Sequence, residues 1–446
     1  MGKYFGTDGI RGPVGKPPLT PEGVTALGRA ASEWVIADAP DEPAIVIGRD
    51  TRASSDWMSA MLAATGTAMG LEVRDLGVET TPGVAAETKG RGAALGIMVT
   101  ASHNPYTDNG VKLFGADGFK LPDAAQASIE AAMDEAGRGS APAGRLGRLD
   151  RMSGSRFYEK ALQAAATADA LEGLRIVVDC AHGAASPRAR GWLEQLGARI
   201  ETLGLNPDGV NINAGCGATH PEALAERVVA SQAYAGIAFD GDADRLVMVD
   251  ESGRIVDGDQ LIALIATDWH RSGRLKGGGV AATVMSNLGL EHHLSGLGLK
   301  LERTRVGDRH VVQAMREAGY NLGGEQSGHL VMLDATTTGD GLMAALEVLR
   351  IARKDARPFS QVSRVFEAVP QKLVNIRYDN GDPLETASVQ NAIRTASYGL
   401  GNTGRVFVRK SGTEPLIRVM AEATDTEALD AALHKVVTAI ESASQR

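Results

Sequence analysis

The chain has 446 residues, which at roughly 150 per domain points to about three domains and makes a single core improbable on size alone; its 43% hydrophobic and 23% charged content argues against general disorder. Its 46 Lys and Arg against 55 Asp and Glu leave a net charge of −9, which disfavours nucleic acid or an anionic membrane as the bulk partner. Only two cysteines occur, Cys180 and Cys216, neither in a CxxC pair, so no disulfide framework or cysteine-rich metal site is expected.

The opening Met1 to Gly6 lacks the apolar core of a signal peptide, and no stretch approaches the ~20 apolar residues of a membrane span. A cytoplasmic protein is expected. Aromatics are only 4%, so the cores must be filled by Ala, Val, Leu and Ile.

In chain order, Ala44 to Gly48 reads as a strand, Ser55 to Met69 as a helix stopped by Gly70, and Leu71 to Leu76 as a second strand. Next comes the apolar strand Leu95 to Val99, followed by Thr100-Ala101-Ser102-His103-Asn104-Pro105. Ser102 sits just past the strand end, where a nucleophile is exposed. No Gly-x-Ser-x-Gly elbow surrounds it, and His103 on an extended chain points away from its neighbour, so on these residues alone a turn or capping serine is favoured over a nucleophile. Gly137 to Gly144 has linker composition, placing a boundary near 140 to 156.

The same strand, turn, helix, glycine, strand order returns twice. Ile176 to Asp179 leads to a helix near Ser186 to Leu196, Gly197 and the strand Arg199 to Leu203; Val280 to Met285 leads to a helix from Asn287, Gly298 and the strand Leu299 to Arg303. Such units predict sheets with substantial parallel pairing and helices on both faces. The last stretch differs, with a strand Lys372 to Tyr378, a helix near Ala387 to Ser397, a strand pair around Val406 to Val419 and a helix from Asp425, and reads as a smaller α+β domain.

Between the second and third units lies Asp240-Gly241-Asp242-Ala243-Asp244-Arg245, flanked by the apolar runs Ile237 to Phe239 and Leu246 to Val249. Three carboxylates at alternate positions against buried strands require a cation, and a hard divalent ion suits oxygen ligands. A calcium hand fails because Arg245 stands where that loop needs Gly; a solvated acidic turn is the plain alternative. Gly323-Gly324-Glu325-Gln326-Ser327-Gly328-His329 offers donors and acceptors suited to sugar hydroxyls, or an ordinary polar turn. Arg409-Lys410-Ser411-Gly412-Thr413-Glu414-Pro415 with Arg418 suits a phosphate, or a solvated basic turn.

These four clusters, in this order on this repeated background, resemble the α-D-phosphohexomutase superfamily over nearly the whole chain. The resemblance implies an α/β protein of three related α/β domains with mixed sheets plus a smaller C-terminal α+β domain around a central cleft, divided at 1–155, 156–253, 254–368 and 369–446. It implies that Ser102 carries the transferred phosphoryl group and, with Asp240, Asp242 and Asp244, binds one Mg²⁺ per subunit. Glu325, Gln326, Ser327 and His329 would read the sugar, and Arg409, Ser411, Gly412, Thr413 and Arg418 would hold the substrate phosphate. Arg11 and Arg245 become candidates to stabilise the transferring group. Lys112 matches a family lysine near the phosphoserine; it would serve as general base only with a lowered pKa and otherwise as a fixed charge, with His103 and His329 as alternatives.

The opening Gly6-Thr7-Asp8-Gly9-Ile10-Arg11-Gly12, the Gln326 position and Arg305-Val306-Gly307-Asp308-Arg309 resemble the glucosamine branch of that superfamily. The implied reaction interconverts glucosamine 6-phosphate and glucosamine 1-phosphate through glucosamine 1,6-bisphosphate, which also acts as activator, and supplies cell-wall precursors. The implied partner is a small sugar phosphate, with no nucleic acid or membrane, and the chain acts as a monomer or homodimer. A mutase of glucose or mannose phosphates and a non-catalytic sugar-phosphate or metal-binding module are the rival readings.

Overall fold

A computed structural model describes residues 2–38, 43–135, 146–166, 169–378, 381–410 and 416–444. The linker-like stretch 137–144 and Ser411, Gly412 and Thr413 lie outside these residues. The chain forms two compact units, one of residues 1–283 and 304–365, the other of residues 284–303 and 366–446.

The first unit begins with a seven-stranded mixed sheet in the order Phe5–Gly6, Gly9–Pro13, Asp108–Gly115, Leu95–Val99, Ala44–Arg49, Glu72–Val78, Arg148–Arg151. Alternation along Ala44–Arg49 explains why both faces are covered. Ile45 and Ile47 enter one apolar cluster with Val24, Leu27, Val35 and Leu62, while Ala44 and Val46 enter another with Leu76, Val84 and Phe114. Leu95–Val99 is buried throughout, pairing parallel with Ala44–Arg49 and antiparallel with Asp108–Gly115. That antiparallel return and the N-terminal hairpin were not expected from the repeated strand and helix pattern.

The helix Thr81–Arg91 is delimited by its own sequence. The Thr80 hydroxyl accepts from the Gly83 N–H, Pro82 occupies the first turn, and Gly92 closes the helix at φ 66°.

The second sheet runs Ile255–Val256, Leu246–Asp250, Ala235–Phe239, Arg175–Asp179, Arg199–Leu203, with the central strand parallel to Arg175–Asp179 and antiparallel to Leu246–Asp250. Its first crossover helix is shorter than expected, Ala189–Gln195, because Pro187 disfavours helical geometry at Ser186. Further on, Gly279–Thr283 pairs parallel with Leu322–Gly324, which pairs antiparallel with Leu330–Met332. In the second unit, Gln371–Arg377, Leu416–Ala423 and Gly404–Lys410 form an antiparallel sheet backed by the helices Ala387–Leu400 and Thr426–Ser444. Three mixed sheets with helices and a smaller C-terminal α+β part with a wholly antiparallel sheet are thus present as expected. Among the described residues no helix is long and apolar enough to cross a membrane.

Candidate active site

Ser102 follows the strand Leu95–Val99 and adopts φ 52°, a left-handed conformation that opposes a Cβ by roughly 1–2 kcal/mol. The chain is therefore not extended here, and the expectation that His103 points away fails: its Nδ1 lies 3.3 Å from Ser102 Oγ. The turn also aims Ser102 Oγ at the acidic loop, where it donates to Asp240 Oδ2 at 2.5 Å. Ser102 is 1% exposed.

The acidic loop connects Ala235–Phe239 to Leu246–Asp250. Ala243 is left-handed at φ 59°, and the Ala243 N–H donates to the Asp240 carbonyl, which tightens the loop and brings its alternate carboxylates together. Oxygens from Asp240, Asp242 and Asp244, one from each, lie within 4.8 Å of one another, and all three residues are buried. Gly241 has to be glycine, because a Cβ there would stand 2.5 Å from the Ser102 carbonyl oxygen. From the helix Thr81–Arg91, the Thr81 N–H donates to the Asp242 carbonyl at 3.0 Å and its hydroxyl to Asp242 Oδ2 at 2.5 Å.

Lys112, on Asp108–Gly115, donates to Asp242 Oδ2 at 2.7 Å and Asp244 Oδ2 at 2.6 Å, with Asp8 Oδ2 3.4 Å away. Burial alone would lower its pKa, but Asp242, Asp244 and Asp8 outweigh burial and raise it well above the ordinary 10.5. A lysine held as a cation in this way does not meet the lowered pKa that a general base needs; the fixed-charge alternative fits the geometry. Burial pushes Asp240 up to about 8, helped by Asp244 and Asp242. Burial would raise Asp244 too, yet Lys112 and then His329 hold it well below 3.8. His103 is lowered to about 3 by burial, then by Arg245 and Arg11, and so is neutral near pH 7.

These oxygens fit a divalent cation. Asp242 Oδ1 and Asp244 Oδ1 are buried without a hydrogen bond, and the all-carboxylate donor set with a serine oxygen beside it is that of a hard ion.

Cations ring the site. Arg11, on Gly9–Pro13, donates to Asp8 Oδ2 at 3.0 Å and reaches Asn104 Oδ1 at 3.4 Å; the Arg245 guanidinium Nε stands 4.0 Å from Asp240 Oδ2, while the Arg245 backbone N–H donates to Asp240 Oδ1 at 3.1 Å. Asp8 and Asp308 share the Lys120 ammonium.

In the loop 323–329, Glu325 Oε1 accepts from the Gly307 N–H and Oε2 from the exposed Ser327 hydroxyl, both at 3.2 Å. The Gln326 side chain instead bonds Asp257, which caps the helix Gly258–Arg271. His329 is 3% exposed and turned to the acidic loop, its Nδ1 3.4 Å from Asp244 Oδ1. The Gly339 N–H points at its Nε2 from 3.1 Å. Burial alone would lower its pKa, but Asp244 and then Asp308 outweigh burial and raise it to about 9, which makes His329 a cationic partner of the Asp244 carboxylate.

In the second unit Arg409 and Arg418 stand directly opposite each other on neighbouring strands, with the Arg418 Nε buried and without a hydrogen bond. Like charges so placed repel unless an anion lies between or beside them. Thr81 and Lys120 are site neighbours that sequence reasoning did not single out, since each stands alone in its segment; Asp8 and Asp308 entered it only within the stretches 6–12 and 305–309, without a place in the site.

Models of the phosphoglucomutase/phosphomannomutase family match in order, α/β/α domain I over residues 2–139, domain II over 155–253, domain III over 257–369 and the C-terminal domain over 373–439. A phosphoglucosamine mutase of Caulobacter vibrioides (strain NA1000 / CB15N) is 50% identical over 99% of both chains. A phosphoglucomutase/phosphomannomutase family protein of Burkholderia thailandensis superposes with a TM-score of 0.82 at 25% identity, over 99% of this chain and 98% of that one. An N-acetylphosphoglucosamine mutase of Aspergillus fumigatus, solved with GlcNAc-6P and magnesium, shares the fold with a TM-score of 0.61 at 20% identity, over 99% and 96% of the two chains.

Proposed function

The chain belongs to the phosphoglucomutase/phosphomannomutase family, and on that premise we propose that it acts as a phosphoglucosamine mutase. It interconverts glucosamine 6-phosphate and glucosamine 1-phosphate in the cytoplasm, upstream of UDP-N-acetylglucosamine and cell-wall precursors. The domain divisions are those read from the sequence, after residues 155, 253 and 368. The observation that carries the chemistry is the Ser102 hydroxyl, turned into a buried group of three carboxylates and bonded to Asp240. The choice of the amino sugar is supported by the 50% identical relative.

Phosphoserine 102 gives its phosphoryl group to the 1-hydroxyl of glucosamine 6-phosphate, the 1,6-bisphosphate reorients, and Ser102 recovers a group from the 6-position. A phosphoryl group on Ser102 adds up to two negative charges beside three carboxylates, so the site repels itself at about −5 unless compensated. Asp240, Asp242 and Asp244 with the serine phosphate would hold one Mg²⁺, which supplies Lewis-acid stabilisation of the phosphoryl oxygens.

The residues of the chain do the rest. Arg11, Arg245 and the Lys112 ammonium balance charge on the transferring group, which is the dominant catalytic term in phosphoryl transfer. His103, beside Ser102 Oγ, is the imidazole placed to take the sugar hydroxyl's proton, provided that the negative charge of the phosphoserine lifts its pKa from the low value that burial, Arg245 and Arg11 impose. Glu325 and Ser327 meet the sugar, and Arg409 and Arg418 with Ser411, Gly412 and Thr413 grip the phosphate that is not reacting. Gln326 and His329 act behind this surface, steadying the helix start at Asp257 and the Asp244 carboxylate.

Intact-mass analysis with peptide mapping, joined to kinetics on glucosamine, glucose and mannose 6-phosphates, tests the reading. One phosphoryl group on Ser102 and a preference for the glucosamine substrate are expected. No phosphoserine and no turnover would leave only a binding module; preference for glucose or mannose phosphate would reassign the substrate.

A further inference from the structure

The serine loop hangs on one buried guanidinium. Arg52 is 1% exposed and lies 50 residues from Ser102 in the chain. Its Nε donates to Asp50 Oδ2 at 2.8 Å, one terminal nitrogen to the carbonyls of Pro105 at 2.5 Å and Asp108 at 3.1 Å, and the other to the carbonyls of Ser102 at 3.0 Å and Asn104 at 2.8 Å. All five N–H groups that a guanidinium offers are used, four of them on the backbone of this one loop.

Asp50 completes the arrangement from the other side. It accepts from the Arg52 N–H at 3.0 Å, from Ser55 Oγ at 2.6 Å and from Thr100 Oγ1 at 2.8 Å, and Thr100 Oγ1 in turn accepts the Ser102 N–H at 2.9 Å. Both peptide groups flanking the Ser102 α-carbon are therefore tied to the Asp50–Arg52 pair, the N–H through Thr100 and the C=O directly. Asn213 adds bonds to the same Ser102 and Asn104 carbonyls, at 2.9 and 3.1 Å.

A left-handed non-glycine residue persists only where its surroundings over-determine it. The Ser102 side chain faces Asp240 because of that left-handed turn, and nothing in the residue's own preferences selects it. The scheme above uses Ser102 twice per turnover, as phosphoryl donor and as acceptor, so its oxygen must return to one position while its charge changes.

We infer that Arg52, oriented by Asp50 and seconded by Asn213, is the positioning residue that holds Ser102 in its Asp240-facing turn, and thereby sets the rate of phosphoryl transfer without touching the substrate. This deepens the mutase reading and rests on it. Lysine at position 52 keeps the charge that Asp50 requires but has a single nitrogen with three donors, too few and too compact to span four carbonyls.

The test uses the full-length protein with R52K and N213A. Hydrogen exchange is followed over residues 100–108, and kcat and KM are measured for glucosamine 6-phosphate. In R52K the loop should lose protection while exchange elsewhere stays near wild type. Its kcat should fall by at least ~30-fold, equivalent to about 2 kcal/mol at 1.36 kcal/mol per decade, with KM within about threefold. N213A should shift both readouts in the same direction by about tenfold or less. A merely structural arginine would lower thermal stability without splitting kcat from KM. R52K with wild-type kcat overturns the inference whether or not the loop is loosened; if R52K does not fold, N213A with wild-type exchange and kcat overturns it. The exchange readout needs no substrate, so it stands apart from the mutase reading, which fails separately if wild-type protein carries no phosphoserine.

Discussion

Replacing Lys112 by Met removes a buried ammonium while keeping most of its volume. In the native site that ammonium lies 2.7 Å from Asp242 Oδ2, 2.6 Å from Asp244 Oδ2 and 3.4 Å from Asp8 Oδ2. Its side chain and those of Asp242 and Asp244 are at most 2% exposed, so solvent cannot take over the compensation. Asp8 keeps Arg11 and Lys120 as partners; Asp244 keeps the weaker contact with His329 and the attraction of Arg245. Deleting one partner of such a buried pair costs about 3–5 kcal/mol. Proton uptake sets a ceiling, because neutralising a carboxylate of ordinary pKa ~3.9 at pH 7 costs about 4 kcal/mol at 1.36 kcal/mol per pK unit. We therefore expect a loss of about 3–4 kcal/mol in metal-free K112M, seen as a fall in Tm of roughly 6–8 °C at ~2 °C per kcal/mol.

The pH dependence has a definite sign. The Asp244 pKa is depressed by folding, so its contribution is present above 3.8 and is lost as pH falls through the folded value. The Lys112 pKa is raised, so its contribution is complete below 10.5 and is lost only above the raised value. The stability gap between wild type and K112M should thus be full at and above about pH 7, shrink below that by up to about 1.4 kcal/mol per pH unit as the stranded carboxylate takes up a proton, and close near pH 4. Thermal melts in EDTA across this range measure it, and Mg²⁺ should raise the Tm of K112M more than that of wild type by replacing the missing positive charge. Equal melting of the two proteins in EDTA at pH 7 would refute the reasoning, since Lys112 would then not be compensating the carboxylates.

Three further outcomes are expected. S102A should abolish turnover even with bisphosphate supplied while circular dichroism stays native; near wild-type activity would end the phosphoserine scheme. Chelation or D242A should lower activity at least ~100-fold, with Mg²⁺ restoring only the chelated wild type, because Lewis-acid stabilisation is worth several kcal/mol. The kcat/KM for glucosamine 6-phosphate should exceed that for glucose 6-phosphate by about 10 to 150 times, from roughly 1.5–3 kcal/mol for a charge-assisted bond to Glu325, and E325Q should shrink that ratio; an unchanged ratio in E325Q would remove Glu325 from specificity.

What the sequence disclosed and what it hid divide along one physical line. The acidic loop was legible because its three carboxylates fall at alternate positions within one short stretch between two apolar runs, so burial and charge could be read from neighbours alone. The strand, helix, strand units were legible for the same reason, since periodicity, capping residues and stop glycines are local. The turn at Ser102 was not. Its residues carry no glycine or asparagine at the left-handed position, and extended geometry was the reasonable default, which turned His103 away from Ser102 although it stayed an alternative general base; the structure removes that geometric objection. That conformation is imposed from Asp50, Arg52 and Asn213, far away in the chain. The Lys112 pKa was hidden likewise, because its sign depends on Asp242 and Asp244, 130 and 132 residues away. A sequence shows which groups have the chemistry for phosphoryl transfer; the direction in which each is aimed and charged is a long-range property, decided by which loops the strands bring to one end of the sheets.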